Sequence, residues 1–375
     1  FFIRRSQNRW WWKGSLTKDR TSYNCYMEQF KIYNRQDVLS LTRIRRFETK
    51  LGERIGLVKE DESWTDYLEK APGRFVLFGI PEDIGIRANY GTGGSDSGWI
   101  PFLSAFLNLQ SNDFMDGEEL LLLGHFDFGD LRYLIEKNAM GYEEKTEAYR
   151  HAVTIIDEAV EDMAKRISAA GKIPIAIGGG HNNAYPLIKG VAKGLHKAGK
   201  IPLAQINCIN LDAHTDYRPL EGRHSGNGFR YAEEDGYLGK YFMLGAQENY
   251  IPQNVWLDIV NNPFLDLISF ENIFLEEKCN FVQAVTQATS FTDDNFTGIE
   301  LDLDIVERAL SSAQSPVGIS SLQARQYIHL AARFGKPAYL HISEAASQLE
   351  DGRKDELTGK MISYLISDFV KAMPA

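Results

Sequence analysis

Three short segments of this chain hold the residues best suited to chemistry. "GGGHNN" carries His181, "LDAHTD" carries Asp212, His214 and Asp216, and "ELDLD" carries Asp302 and Asp304. Each follows an apolar run with the character of a buried strand. Taken singly, each has an ordinary explanation: a histidine after a glycine turn is commonly structural, and a D-x-D pair is commonly a cap or a solvated turn. Taken together they do not. Buried carboxylates without counter-charge cost several kcal/mol each, and four aspartate charges are matched by two divalent cations. Carboxylate with imidazole suits Mn²⁺, with Ni²⁺ as the alternative, and the lack of thiolate disfavours a cysteine-type zinc site. Two such ions roughly 3.5–4 Å apart share a water and lower its pKa. The bridging hydroxide then attacks a trigonal carbon. A leaving amine needs a proton, and Asp216, a ligand with a second oxygen, is placed to relay it.

These segments need a scaffold that brings strand ends together. Apolar strand patterns occur at 74–83, 119–127, 172–181, 206–214, 240–246, 266–270, 297–304 and 337–343. In "GIELDLD" the apolar Ile299, Leu301 and Leu303 alternate with Glu300, Asp302 and Asp304, so the acidic residues share one face. Helical spacing links Val153, Ile156, Val160, Met163 and Ile167, ending at Gly171, and recurs at 320–335 and 355–373. Strands alternating with helices predict an α/β fold with a mainly parallel sheet covered on both faces. Ligands then sit at the carboxyl ends of its strands. Residues 1–73 are polar and weakly periodic and read as a partly helical N-terminal extension, with residues 74–375 as the catalytic domain.

Composition narrows the function. The 375 residues are 43% hydrophobic, enough for a full core, and no apolar run reaches the ~20 residues of a membrane span. With 51 acidic and 41 basic residues the formal net charge is −10, which argues against a nucleic-acid partner. Cys25, Cys208 and Cys279 are too few and too scattered for a disulfide framework, and a cytoplasmic location is expected. The chain opens on Phe1 rather than Met, which leaves room for residues upstream. Its opening "FFIRRSQNRWWWKG" lacks the apolar core of a signal peptide, and Trp10, Trp11 and Trp12 are expected to serve packing or subunit contact.

In this order, "GGGH", "DAHTD" and "DLD" resemble the ureohydrolase superfamily of arginases, agmatinases and formimidoylglutamases, over roughly residues 75–373. The resemblance implies a three-layer α/β/α fold, a dinuclear manganese centre, a small amidine or guanidine substrate and a trimeric or hexameric homo-oligomer. By position, His181, Asp212, Asp216 and Asp302 would hold one ion; His214, Asp212, Asp302 and Asp304 would hold the other, with Asp212 and Asp302 bridging. Glu344, in "YLHISEAASQL", matches the glutamate that holds the substrate's cationic group, although Ala345 and Ala346 stand where Asn-Pro is common. Glu300 replaces a small hydroxyl residue typical of its strand.

Within the superfamily the loop after Asp216 resembles formimidoylglutamases: Asp216, Arg218 and Pro219, then Ser225, Gly226 and Phe229. Their early "G-V-R-R-N-x-G" is similar to "GIRANYG" here, with Arg87 and Asn89. Arginases carry a catalytic histidine two residues beyond the loop asparagine, and Phe229 takes that place; Ser225 and Asn227 nonetheless resemble the arginase "S-G-N". A formimidoylglutamate brings two carboxylates, for which Arg87, Arg218, Arg223 and Arg230 are the available clamps. Substrate contacts are expected from Arg87, Asn89, Arg218, Ser225, Asn227 and Glu344, with Asp216, Glu344 and His224 as catalytic groups and His224 as proton shuttle. Hydrolysis of N-formimidoyl-L-glutamate to glutamate and formamide is the leading expectation. The alternatives are a guanidino hydrolase releasing urea, a single-zinc deacetylase of arginase-like fold, and a non-catalytic binding protein that kept the fold.

Overall fold

The computed structural model describes residues 2–5, 9–12, 29–59 and 62–374. Residues 2–5 and 9–12 form β1 and β2, an antiparallel pair described at the backbone. The roles expected for Trp10, Trp11 and Trp12, and Cys25 itself, lie outside what is described.

The expected strands are present as β4 (Phe75–Gly79), β5 (Leu120–Phe126), β6 (Ile173–Ile177), β7 (Ile206–Leu211), β8 (Leu238–Leu244), β9 (Leu265–Ile268), β10 (Thr297–Asp302) and β11 (Pro337–Ser343). With β3 (Phe30–Ile32) they form a nine-stranded sheet in the order β3-β5-β4-β6-β11-β10-β7-β8-β9. Every pairing is parallel except β3 with β5. Continuous apolar runs are what such strands require, because both faces are covered. Along β4, for example, Phe75 and Leu77 enter one core and Val76 and Phe78 the other.

One face carries the helices Trp99–Phe106, Phe281–Phe291, Ser321–Phe334 and Thr358–Ala372. The other carries Tyr142–Ala169 and Ala184–Lys197. Those two helices lie so close that a Cβ on Gly190 would stand 2.5 Å from the Glu161 carbonyl oxygen. The result is a three-layer α/β/α fold, as the strand and helix patterns predict. Strands β6, β11, β10 and β7 are consecutive in the sheet. Their carboxyl ends carry His181, Glu344, Asp302 with Asp304, and Asp212 to Asp216, so sheet order alone assembles the acidic and imidazole groups.

The N-terminal stretch is more engaged with the sheet than its weak periodicity suggests. β3 pairs with β5, and Tyr33, Val38, Leu51 and Ile55 are buried in the same core as the sheet. Trp99 Nε1 donates to the Tyr33 hydroxyl at 3.0 Å. A three-residue strand and helices of seven and four residues are too short to show a period in sequence. Leu51 is fully buried, and Leu51→Ala is expected to cost about 2–5 kcal/mol. Calorimetry should show the whole unfolding transition moving down; an unmoved main transition would place this segment outside the cooperative unit.

Candidate metal centre

The turn that ends β6 runs through Gly178 and Gly179, both at positive φ. A Cβ on Gly179 would also meet Asn183 Nδ2 at 2.5 Å and the Ile80 carbonyl oxygen at 2.7 Å. The turn delivers His181, fully buried, to the ends of β7 and β10. Its Nδ1 lies 2.7 Å from Asp216 Oδ2, 3.1 Å from Asp302 Oδ2 and 3.3 Å from Asp212 Oδ2. One ligand atom from each of these four residues lies within 4.8 Å of all the others. Asp212 faces two ways: its Oδ2 is near His181, while its Oδ1 is 3.4 Å from His214 Nδ1. His214 Nδ1 is in turn 3.7 Å from Asp304 Oδ2. All six residues expected as metal ligands are therefore gathered at one end of the sheet.

Local hydrogen bonds fix these carboxylates. The His214 N–H donates to Asp212 Oδ1 at 2.7 Å, the Asp304 N–H to Asp302 Oδ1 at 2.8 Å, and Asn210 Nδ2 to Asp212 Oδ2 at 3.0 Å. Asp216 and Glu344 adopt φ of 44° and 59°, a left-handed backbone that non-glycine residues rarely take. Such strain concentrates at functional sites.

The groups suit a cation electrostatically. Burial pushes the carboxyls of Asp216, Asp302 and Glu344 upward, and the neighbouring aspartates push them further. Burial also raises Asp304, against the pull of His214. Burial would lower His181 and His214, but the surrounding carboxylates raise both well above the ordinary histidine range. Asp212 is the exception: burial would raise it, yet the two histidines hold it below the carboxylate range. His181 Nδ1 is buried, faces three carboxylates and has no aligned hydrogen bond. Oxygen and imidazole donors around an unsatisfied nitrogen fit a hard or borderline divalent ion.

Glu344 stands beside this cluster. Its Oε1 accepts the His181 N–H at 3.1 Å and its Oε2 the Ser312 hydroxyl at 2.5 Å. Two further groups escaped the sequence reading. Glu82, buried, accepts N–H groups from Ile84, Gly85 and Gly180 and from the Asn183 side chain, which ties the start of "GIRAN" to the "GGGH" turn. Burial pushes its carboxyl up to about 7. His341 sits in register opposite Glu300 on the neighbouring strand. Neither carries a sequence signal: the partners of Glu82 are set by the fold of the "GGGH" turn and that of His341 by strand pairing.

The loop between Asp216 and Phe229 divides the remaining expectations. Asn89, Arg218 and Ser225 come together: Asn89 Nδ2 donates to Ser225 Oγ at 3.3 Å and Arg218 Nη1 to Asn89 Oδ1 at 3.4 Å. Arg218 also pairs with Glu221 at 2.8 Å, and Arg87 is shared between Asp83 and Glu350 at 2.9 and 3.0 Å. Asn227 is a correction. It is fully buried, and its amide is spent on Arg223, His224, Gly222 and Pro219, so it shapes the loop rather than facing a ligand. His224 is another. Its Nδ1 accepts the Gly226 N–H, its Nε2 faces Glu221, and burial followed by Arg218 lowers it to about 4. Both ring nitrogens are taken up within the loop, so the ring is not free to carry the proton expected of it. Arg223 and Arg230 are likewise committed, to Asp157 and Asp258. Phe229 packs edge-on to His181, with ring centres 5.2 Å apart, and stacks on Tyr241.

Arg223 pins this loop to the helix Tyr142–Ala169 through two hydrogen bonds to Asp157, at 2.8 and 3.1 Å. Breaking a buried pair leaves one charge uncompensated, so Arg223→Ala should cost about 3–5 kcal/mol. Chemical denaturation measures this; a loss below about 1 kcal/mol, the worth of an exposed pair, would show the anchor to be dispensable.

Comparison with known proteins agrees with this geometry. The arginase family model matches residues 74–369. A formimidoylglutamase of Macrococcus caseolyticus is 25% identical over 295 residues, covering 77% of this chain and 83% of that protein. One from Aromatoleum aromaticum is 26% identical over 318 residues, covering 80% and 85%. In fold, the chain is similar to formiminoglutamase of Trypanosoma cruzi crystallised with Mn²⁺, with a TM-score of 0.64 at 21% identity over 87% of this chain and 100% of the other. Formimidoylglutamase of Bacillus subtilis gives a TM-score of 0.65 at 16% identity, over 91% and 100%. With its three-layer fold and its cluster of histidines and aspartates at the ends of β6, β7 and β10, the chain belongs to the arginase family.

Proposed function

We propose that this protein is a dinuclear-metal hydrolase that splits a C–N bond of a linear amidine, converting N-formimidoyl-L-glutamate and water to glutamate and formamide. The observation that carries the proposal is the gathering of His181, Asp212, His214, Asp216, Asp302 and Asp304 at neighbouring strand ends, in a chain whose curated relatives include formimidoylglutamases. His181, Asp212, Asp216 and Asp302 would hold one divalent ion. His214, Asp212, Asp302 and Asp304 would hold the second. When bound, such ions, Mn²⁺ foremost, supply Lewis acidity and lower the pKa of a water.

The chain's own side chains do the rest. Glu344, fixed by Ser312 and the His181 N–H, presents a carboxylate to the cationic amidine. The Asp216 oxygen left free beside the ion returns a proton to the amine nitrogen as its bond to the formimidoyl carbon breaks. Arg218, half-exposed at the rim with Asn89 and Ser225, takes a substrate carboxylate in exchange for Glu221, and Arg87 is the second clamp. Phe229, apolar against His181, leaves no arginase-like histidine at that place. Residues 74–375 form the catalytic unit in this scheme, with the preceding segment bracing the sheet edge. A cytoplasmic trimer or hexamer remains the expectation from the sequence.

A product assay on the Mn²⁺-loaded protein, across formimidoylglutamate, arginine, agmatine and guanidino acids, separates the outcomes. Formamide from formimidoylglutamate is expected. Urea from a guanidino compound would replace the substrate, and no turnover of any would remove the hydrolase. Asp212, like Asp302, would serve both ions, so Asp212→Asn should lower manganese occupancy at both positions; full occupancy by elemental analysis would contradict that shared role. The carboxylates around His181 and His214 favour their protonated forms, and an ion must compete with those protons. Mn²⁺ affinity should therefore rise with pH, with proton release on binding seen by calorimetry in buffers of different ionisation enthalpy.

A further inference from the structure

Behind His181, on the side away from the aspartates, is a buried polar group that the proposed reaction does not use. Glu300 on β10 and His341 on β11 are register partners, and both are fully buried. Glu300 Oε2 lies 2.6 Å from His341 Nδ1 and 3.3 Å from His181 Nε2. Glu300 Oε1 accepts the Tyr339 hydroxyl at 2.6 Å, and His341 Nε2 is 3.3 Å from the Gly178 carbonyl oxygen. The two nitrogens of His181 thus face opposite ways, Nδ1 toward three aspartates and Nε2 toward Glu300.

His181, Glu300 and His341 are close enough together to raise the question of a separate ion. The distances answer it. Glu300 Oε2 and His341 Nδ1 already satisfy each other in an aligned hydrogen bond at 2.6 Å, whereas His181 Nδ1 has no aligned partner among the aspartates. The group is a chain of hydrogen-bonding partners ending at a metal ligand.

We propose that Glu300, held by His341 and Tyr339, is a positioning residue that sets the orientation and tautomer of His181 for metal binding. This rests on the metal centre proposed above. A neutral imidazole carries one N–H, and an ionised carboxylate can only accept. Glu300 Oε1 already accepts the Tyr339 hydroxyl and its Oε2 lies at hydrogen-bond distance from His341 Nδ1, so it stands as such an acceptor. Placed at Nε2, it puts the proton there and leaves the Nδ1 lone pair for the ion. A serine or threonine hydroxyl can donate as readily as accept and leaves the tautomer open. The Nε2 contact is longer than that of Nδ1 with Asp216 and is not yet aligned as a hydrogen bond.

The test is a titration of the full chain with Mn²⁺, following free Mn²⁺ by its paramagnetic resonance, for wild type, Glu300→Gln and His341→Gln. Glutamine keeps the size of the side chain but can donate as well as accept. Loss of such a supporting partner is expected to weaken binding about 10–100-fold in Glu300→Gln. His341→Gln should move the same way by less. Thermal midpoints before Mn²⁺ addition should stay near wild type. Long-range ¹H–¹⁵N spectra of histidine-labelled, Cd²⁺-loaded protein should show His181 protonated at Nε2 in wild type and at a mixture of sites in Glu300→Gln. Wild-type protein that takes up no Mn²⁺ would overturn the metal centre itself. Wild type that binds, with both variants binding equally tightly and His181 unchanged, would overturn the positioning role alone. Were Glu300→Gln not to fold, His341→Gln decides, and unchanged affinity there counts against the proposal.

Discussion

Carboxylates buried beside one another repel, and water is not there to screen them. Asp212, Asp216, Asp302, Asp304 and Glu344 are all buried or nearly so at one end of the sheet, and burial acts to raise every one of their pKa values. A fold tolerates such a cluster only when something positive completes it. Two imidazoles do part of this, and Asp212, between them, is the one of these carboxyls on which their pull outweighs burial. The rest calls for cations. From that single constraint follow the oxygen and imidazole character of the cluster and its placement where the carboxyl ends of several strands converge.

That convergence is a property of strand order. No two of His181, Asp212 and Asp302 are within thirty residues in sequence, yet β6, β11, β10 and β7 stand side by side. The clustering of the six residues expected as ligands was legible in the sequence because each sits just beyond an apolar run, and strand ends in parallel sheets share one side. Groups whose meaning depends on a neighbouring strand were not legible. His341 looks like any strand residue until its register with Glu300 is known. Glu82 looks like an ordinary loop acid until the "GGGH" turn folds over it. β3 and its short helices were obscured for a different reason, being too short to repeat.

The loop after Asp216 shows the limit of reading roles from residue type. Asn227 and His224 carry the donors and acceptors of an active-site group, but the loop consumes them: Arg223, Gly222, Gly226 and Glu221 take up their hydrogen bonds. What remains turned outward is Arg218, with Asn89 and Ser225 beside it. The buried half of the loop holds the exposed half in place, and in the proposed scheme it is that exposed half that would meet the substrate's carboxylates. A similar division runs through the metal centre, where Nδ1 of His181 meets the ligand cluster and Nε2 meets Glu300.

The central claim is that six side chains form one centre for two ions. Diffraction from crystals grown with Mn²⁺, with anomalous difference maps at the manganese edge, tests it most directly. Two peaks are predicted, about 3.5–4 Å apart, one amid His181, Asp212, Asp216 and Asp302 and the other against His214 and Asp304. A single peak that leaves His214 and Asp304 without an ion, or no peak at all, would contradict it.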